Sequence, residues 1–306
     1  MDALVEEFLK ALDPATKKIY RNGLTQFQVF YQKSGTIKDF LNRVEDDLKK
    51  STLEKERVPR NTLNGYIEWL SAKGYSPKTI RTYVAAIQSL AKYYDIPISL
   101  RYVKMPPPSS ISKKHPWNID EVAKFISLMH KPLHKSIAAT IVQSGLSLSD
   151  LLAIRYGDIK EELEKGTSPL CIDLSRQKTD VPYMTFIGKW AISLLKAYLG
   201  RKKPNQEDPL YQITKRGVEA YFQSAAHKMI GEYQGINPCR PHSLRAAFHT
   251  ILRDHKVDPL YVEFWMGHHL PEHNAVYISK SREGWRQTYR EQAEPWLTPS
   301  SFQLKP

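Results

Sequence analysis

From about Pro14 to Tyr102 apolar residues recur every three or four positions, the period of a helix with one buried face. The pattern predicts four helices, over Ile19–Tyr31, Ile37–Leu48, Asn61–Lys73 and Pro77–Tyr94, punctuated by Gly35 and by Gly74-Tyr75-Ser76-Pro77. Four such helices make a small bundle. After them comes Met105-Pro106-Pro107-Pro108-Ser109-Ser110-Ile111-Ser112-Lys113-Lys114-His115-Pro116, where prolines remove helix donors and stiffen the chain while serines and lysines stay solvated. We read 105–116 as a linker between an N-terminal domain, 1–104, and a C-terminal domain, 117–306.

Beyond Trp117 the chain reads as mainly helical with one β excursion. Leu170–Leu174 and Val181–Ile187 are strand-like runs on either side of the polar, turn-like Ser175–Asp180. That is a hairpin with Lys178 near its tip. Helices are expected over Trp190–Leu199, Lys215–Ile230, Leu244–His255 and Pro259–Met266, with Trp285–Ala293 as one more. The expected fold is therefore mainly α (α+β), a four-helix unit followed by an α-rich unit with a small antiparallel sheet. No internal repeat interrupts it.

Charge narrows the function. With 45 Lys+Arg against 32 Asp+Glu, the formal charge is +13, which favours a polyanion, either nucleic acid or an acidic membrane face. The start, Met1-Asp2-Ala3-Leu4-Val5-Glu6-Glu7, is acidic and has no apolar signal core, and no apolar run approaches the roughly 20 residues of a spanning helix. The expectation is an intracellular protein with no membrane partner. Cys171 and Cys239 stand alone in sequence, so buried free thiols are expected rather than a disulfide or a CxxC metal pair. A basic stretch, Lys55, Arg57, Arg60, Lys73, Lys78, Arg81, Lys92, Arg101 and Lys104, reads either as solvated helix faces or as a surface that tracks phosphates.

Four separated pieces of the second segment carry the candidate chemistry. They are Ser144-Gly145-Leu146-Ser147-Leu148-Ser149-Asp150-Leu151-Leu152 running on to Asp158-Ile159, the hairpin with Lys178, Pro241-His242-Ser243-Leu244-Arg245, and Met266-Gly267-His268 with Tyr277 nine residues on. In this order they resemble the tyrosine recombinases of the phage-integrase type: the TGLR-x-SE-LL box, a hairpin lysine, HxLR, and LGH followed by a tyrosine. The resemblance spans about residues 117 to 295; the first unit resembles the family's core-binding domain in size and position only.

The resemblance implies DNA recombination or integration, as in mobile elements, without metal, ATP or other cofactor. A phosphodiester broken that way needs a nucleophile, charge neutralisation on the non-bridging oxygens and an acid for the leaving 5′-oxygen. It implies that Tyr277 attacks phosphorus to give a 3′-phosphotyrosine, Arg245 clamps the phosphate, His242 assists proton transfer, Lys178 protonates the leaving oxygen, and His268 donates a hydrogen bond to the transition state. The partner would be double-stranded DNA. Self-association as a dimer or tetramer would be through the segment after Tyr277. Tyr289 is the fallback nucleophile.

Ser147 departs from the pattern, standing where the family has an arginine. Three explanations remain open: an inactive relative that still binds DNA, a compensating cation among Arg155, Arg176 and Arg240, or a deliberate substitution. A DNA-binding or architectural protein without chemistry is thus the rival reading. A metal nuclease built on His268, His269 and His273 is more distant, because their spacing suits no standard zinc arrangement.

Overall fold

The computed structural model describes residues 2–52, 54–55, 57–107, 117–175, 182–200, 202, 204–231, 237–270 and 280–303. The chain divides into two units, Met1–Lys113 and Lys114–Pro306.

In the first unit three of the long helices start at a residue whose side chain accepts from the free N–H groups of the first turn. Asp13 caps α2 (Pro14–Tyr31), Thr36 and Asp39 form a reciprocal capping box on α3 (Ile37–Lys49), and Ser76 caps α5 (Pro77–Tyr93). Between the last two lies α4 (Val58–Ala72). A short fifth helix, α1 (Ala3–Lys10), precedes the four that periodicity predicts. Two turns are too short to be stable alone. It is held by burial of Val5, Phe8 and Leu9 and by the fork of Arg21 on Glu6. At the centre Phe27 meets the rings of Tyr31, Phe40 and Tyr66. On α5 the buried face carries Ile80, Val84, Ile87 and Leu90, while Lys78, Arg81 and Lys92 are exposed. Separations of three and eleven residues bring those three cations onto one stripe of the helix.

The second unit is built round α7 (Pro132–Ser144), buried at every position from Ser136 to Ser144. Packed on it are α10 (Lys189–Leu199) and α12 (Pro241–Asp254). Of the four helices before the hairpin, α6 (Ile119–Ser127), α7, α8 (Leu148–Ala153) and α9 (Gly157–Glu164), the sequence pattern separates none. Strands β1 (Leu170–Ser175) and β2 (Pro182–Ile187) pair antiparallel from Leu170↔Ile187 to Ser175↔Pro182. Arg176 and Lys178 lie outside the described residues. The remaining helices are α11 (Lys215–Ile230), α13 (Pro259–Trp265), α14 (Arg282–Gln292) and α15 (Ser300–Gln303).

Arg286 pins α14 to the hairpin side. Its buried guanidinium reaches Glu162 on α9 at 2.7 and 3.0 Å. Burial pushes the Glu162 carboxyl up, but Arg286 and the Cys171 N–H outweigh it and hold it below the usual carboxylate range. Both cysteines are buried free thiols, and no described helix is long and apolar enough to cross a membrane.

Candidate active site

Two left-handed glycines shape the site. Gly145, at φ 67°, ends α7, and a Cβ there would lie 2.6 Å from the Phe248 ring. That turn aims the Gly145 carbonyl at Arg245, whose Nη1 donates to it. Gly267, at φ 64°, ends α13: its N–H donates to the Phe264 carbonyl at 2.8 Å, and the N–H of His268 donates to the Glu263 carbonyl at 3.0 Å. This double closure is a Schellman turn, which needs a residue without a side chain at its left-handed position. It also folds the residue after the glycine back over the residue five earlier, so the His268 ring meets the Glu263 side chain.

Arg245 is only 5% exposed. Besides Gly145, its Nη2 donates to the Met266 carbonyl at 2.8 Å and stands 3.0 Å from Nε2 of His268. A guanidinium only donates, so Nε2 must accept, and the proton of a neutral His268 sits on Nδ1, which bonds Glu263 Oε2. The other oxygen of Glu263 is 3.3 Å from Nε2 of His249. Burial raises the Glu263 carboxyl, but its contacts with His268 and His249 outweigh that and keep it below the usual carboxylate range. Glu263 and His249 are absent from the sequence-predicted set. The signal was present: Gly267 four residues after an acid and just before a histidine.

These groups face a cavity of about 850 Å³ whose wall includes Ser147, Arg240, His242, Arg245, His249 and His268. Three of the separated sequence pieces therefore meet at one place. Ser147 is the N-cap of α8: its Oγ accepts from the Asp150 N–H at 3.2 Å and donates to Asp150 Oδ2 at 2.7 Å. Its hydroxyl is thus engaged locally.

Other assignments change. Tyr289, the fallback nucleophile, is fully buried in the core and donates to the Gln143 carbonyl at 2.6 Å, and burial raises its hydroxyl well above the ordinary range. It cannot reach the cavity. Arg155 is an exposed partner of Glu207 and does not line the cavity. Arg57 turns its guanidinium onto the carbonyls of Thr52 and Lys55, and Arg81 bonds the Pro106 carbonyl, whereas Lys78, Lys92, Arg101 and Lys104 are exposed; Lys55 and Arg60 are half-buried. Among the described residues no group of three His, Cys, Asp or Glu side chains is arranged to hold a metal. Tyr277 and His273 lie outside the described residues.

A mostly helical architecture with a small two-stranded antiparallel sheet matches the integrase-like folds. Residues 118–283 match the phage integrase family, and the chain belongs to that family. It is similar to tyrosine recombinase XerD of Listeria innocua serovar 6a, 24% identical over 88% of this chain and 91% of that protein. It is also similar to XerA of Pyrococcus furiosus, 22% identical over 80% and 85%. Among solved structures, a lambda integrase dimer bound to a COC′ core site shares the fold with a TM-score of 0.54 at 15% identity, over 92% of this chain and 96% of that one. The Tn1549 transposon integrase in complex with transposon right end DNA gives 0.53 at 14%, over 88% and 98%.

Proposed function

We propose that this chain is a site-specific tyrosine recombinase that cuts and rejoins double-stranded DNA. The observation that carries the reading is the seat of Arg245, a buried arginine fixed by two carbonyls and a histidine on the wall of an open cavity. A guanidinium so held is oriented in advance and pays little ordering cost when an anion arrives. In the proposed step the Tyr277 hydroxyl, giving its proton to a base such as His242, bonds to phosphorus. The bond from phosphorus to the 5′-oxygen breaks, and Lys178 supplies the proton to that oxygen. A second strand's 5′-hydroxyl reverses the step, so no high-energy cofactor is consumed. The first unit, with its cationic stripe on α5, would hold the duplex, and copies of the chain would pair on DNA as a dimer or tetramer at the cell's DNA.

The second reading is a DNA-binding relative without chemistry. It is favoured by Ser147, which brings no charge to the cavity and whose hydroxyl serves Asp150. A nicked suicide duplex incubated with the protein and a chelator separates the two. Strand transfer predicts a covalent protein–DNA species that resists denaturant and disappears in Tyr277→Phe, while duplex binding survives. Binding without any covalent species would establish the second reading.

A further inference from the structure

The start of α12 has Pro241 in its first turn but lacks a capping acceptor. Its N-cap is Arg240, whose side chain makes no capping hydrogen bond. Arginine has no acceptor for the first-turn N–H groups, and its charge faces the positive end of the helix dipole. The Arg240 Nε is also buried with no hydrogen-bond partner among the described residues, a costly condition for a guanidinium N–H. This side chain stands on the wall of the cavity that holds Arg245, His242 and His268. An anion placed in the cavity would neutralise the charge and suit a helix N-terminus.

We propose that Arg240 is a phosphate-binding residue of this cavity, and that with Arg245 it puts two guanidinium groups on the scissile phosphodiester. The inference rests on the strand-transfer reading and deepens it. It assigns the charge absent at Ser147 to a different segment of the chain. When the tyrosine oxygen adds and the 5′-oxygen has not yet left, the phosphorus centre carries extra negative charge on its non-bridging oxygens. One fork neutralises that less well than two. Ser147 cannot take the role because its hydroxyl is bonded to Asp150, nor can Arg155, which pairs with Glu207 away from the cavity.

Arg240→Asn in the full chain tests this, since asparagine is a good N-cap and carries no charge. The melting temperature should rise by a few degrees. Single-turnover formation of the covalent complex on the nicked duplex should slow by about a hundredfold or more, with duplex affinity changing less than about tenfold. Arg240→Lys should also be slow, because an ammonium lacks the fork. Ser147→Arg should recover at least about tenfold in the Arg240→Asn background. A cleavage rate in Arg240→Asn within about threefold of the unaltered chain overturns the inference. If the unaltered chain forms no covalent species, strand transfer fails, and inorganic phosphate then tests the site by itself. Phosphate should raise the melting temperature of the unaltered chain and not that of Arg240→Asn; equal shifts in both would overturn the anion site as well.

Discussion

Glu263 bonds Nδ1 of His268 and leaves Nε2 to accept from Arg245. Glu263→Gln keeps an acceptor for the Nδ1 proton and removes only the charge, whereas Glu263→Ala removes both. We expect the alanine variant to lose tenfold or more in single-turnover cleavage and the glutamine variant less, by analogy with residues that orient a working histidine. Nitrogen-detected NMR of the imidazoles should show His268 protonated on Nδ1 in the unaltered chain and in Glu263→Gln, and a mixture in Glu263→Ala; an unchanged tautomer in Glu263→Ala would show that Arg245 alone sets it. Gly145→Ala is expected to cost about 2 to 4 kcal/mol in urea unfolding, combining left-handed strain with overpacking against Phe248. At this scale the sequence displayed Arg245, His242 and His268 through their motifs. It hid Glu263, because an acid on a short helix is ordinarily solvated and only the turn at Gly267 brings it to the ring. It also hid that Ser147 is spent as a helix cap.

Helices with one apolar stripe were legible, as α2, α3, α5 and α12 show. In contrast, α7 is buried all round, so it offers no contrast of faces to read, and α1, α8 and α9 are too short for a period to emerge. The buried face of α7 carries a titratable element contact. His134, 3% exposed, stacks on Tyr221 of α11 with ring centroids 3.6 Å apart, and neither of its nitrogens has a partner among the described residues. Burial, with some help from Lys131, pushes its pKa down to about 4. The folded state therefore resists a proton that the unfolded chain accepts near its ordinary value of about 6.5. Stability from this residue is complete above that value, declines as pH falls through the interval, and is lost by about pH 4, a difference of about 3 kcal/mol. Urea midpoints between pH 7 and 4 should fall steeply for the unaltered chain and less for His134→Leu; parallel declines would remove His134 as the cause.

On the scale of the whole molecule, the proposed function together with a formal charge of +13 predicts a duplex affinity that depends on salt. If Lys78, Arg81 and Lys92 each neutralise one phosphate, replacing all three by alanine should lower the slope of log affinity against log salt by about 2.7; an unchanged slope would take the α5 stripe out of the interface. That the chain is basic and mainly helical was legible from composition and periodicity. The cavity was not, because it joins segments that sequence distance separates. The Schellman turn that pairs Glu263 with His268 spans five residues and can close as soon as α13 exists. The seat of Arg245 instead needs Gly145, 100 residues earlier, and closing so long a loop costs about 4 kcal/mol of chain entropy plus a constant. Contacts of that range form late. On the strand-transfer reading, a nascent or partly unfolded copy would meet DNA through its cationic helices before it owns a clamp for the phosphate, so the power to cut is acquired last and forfeited first.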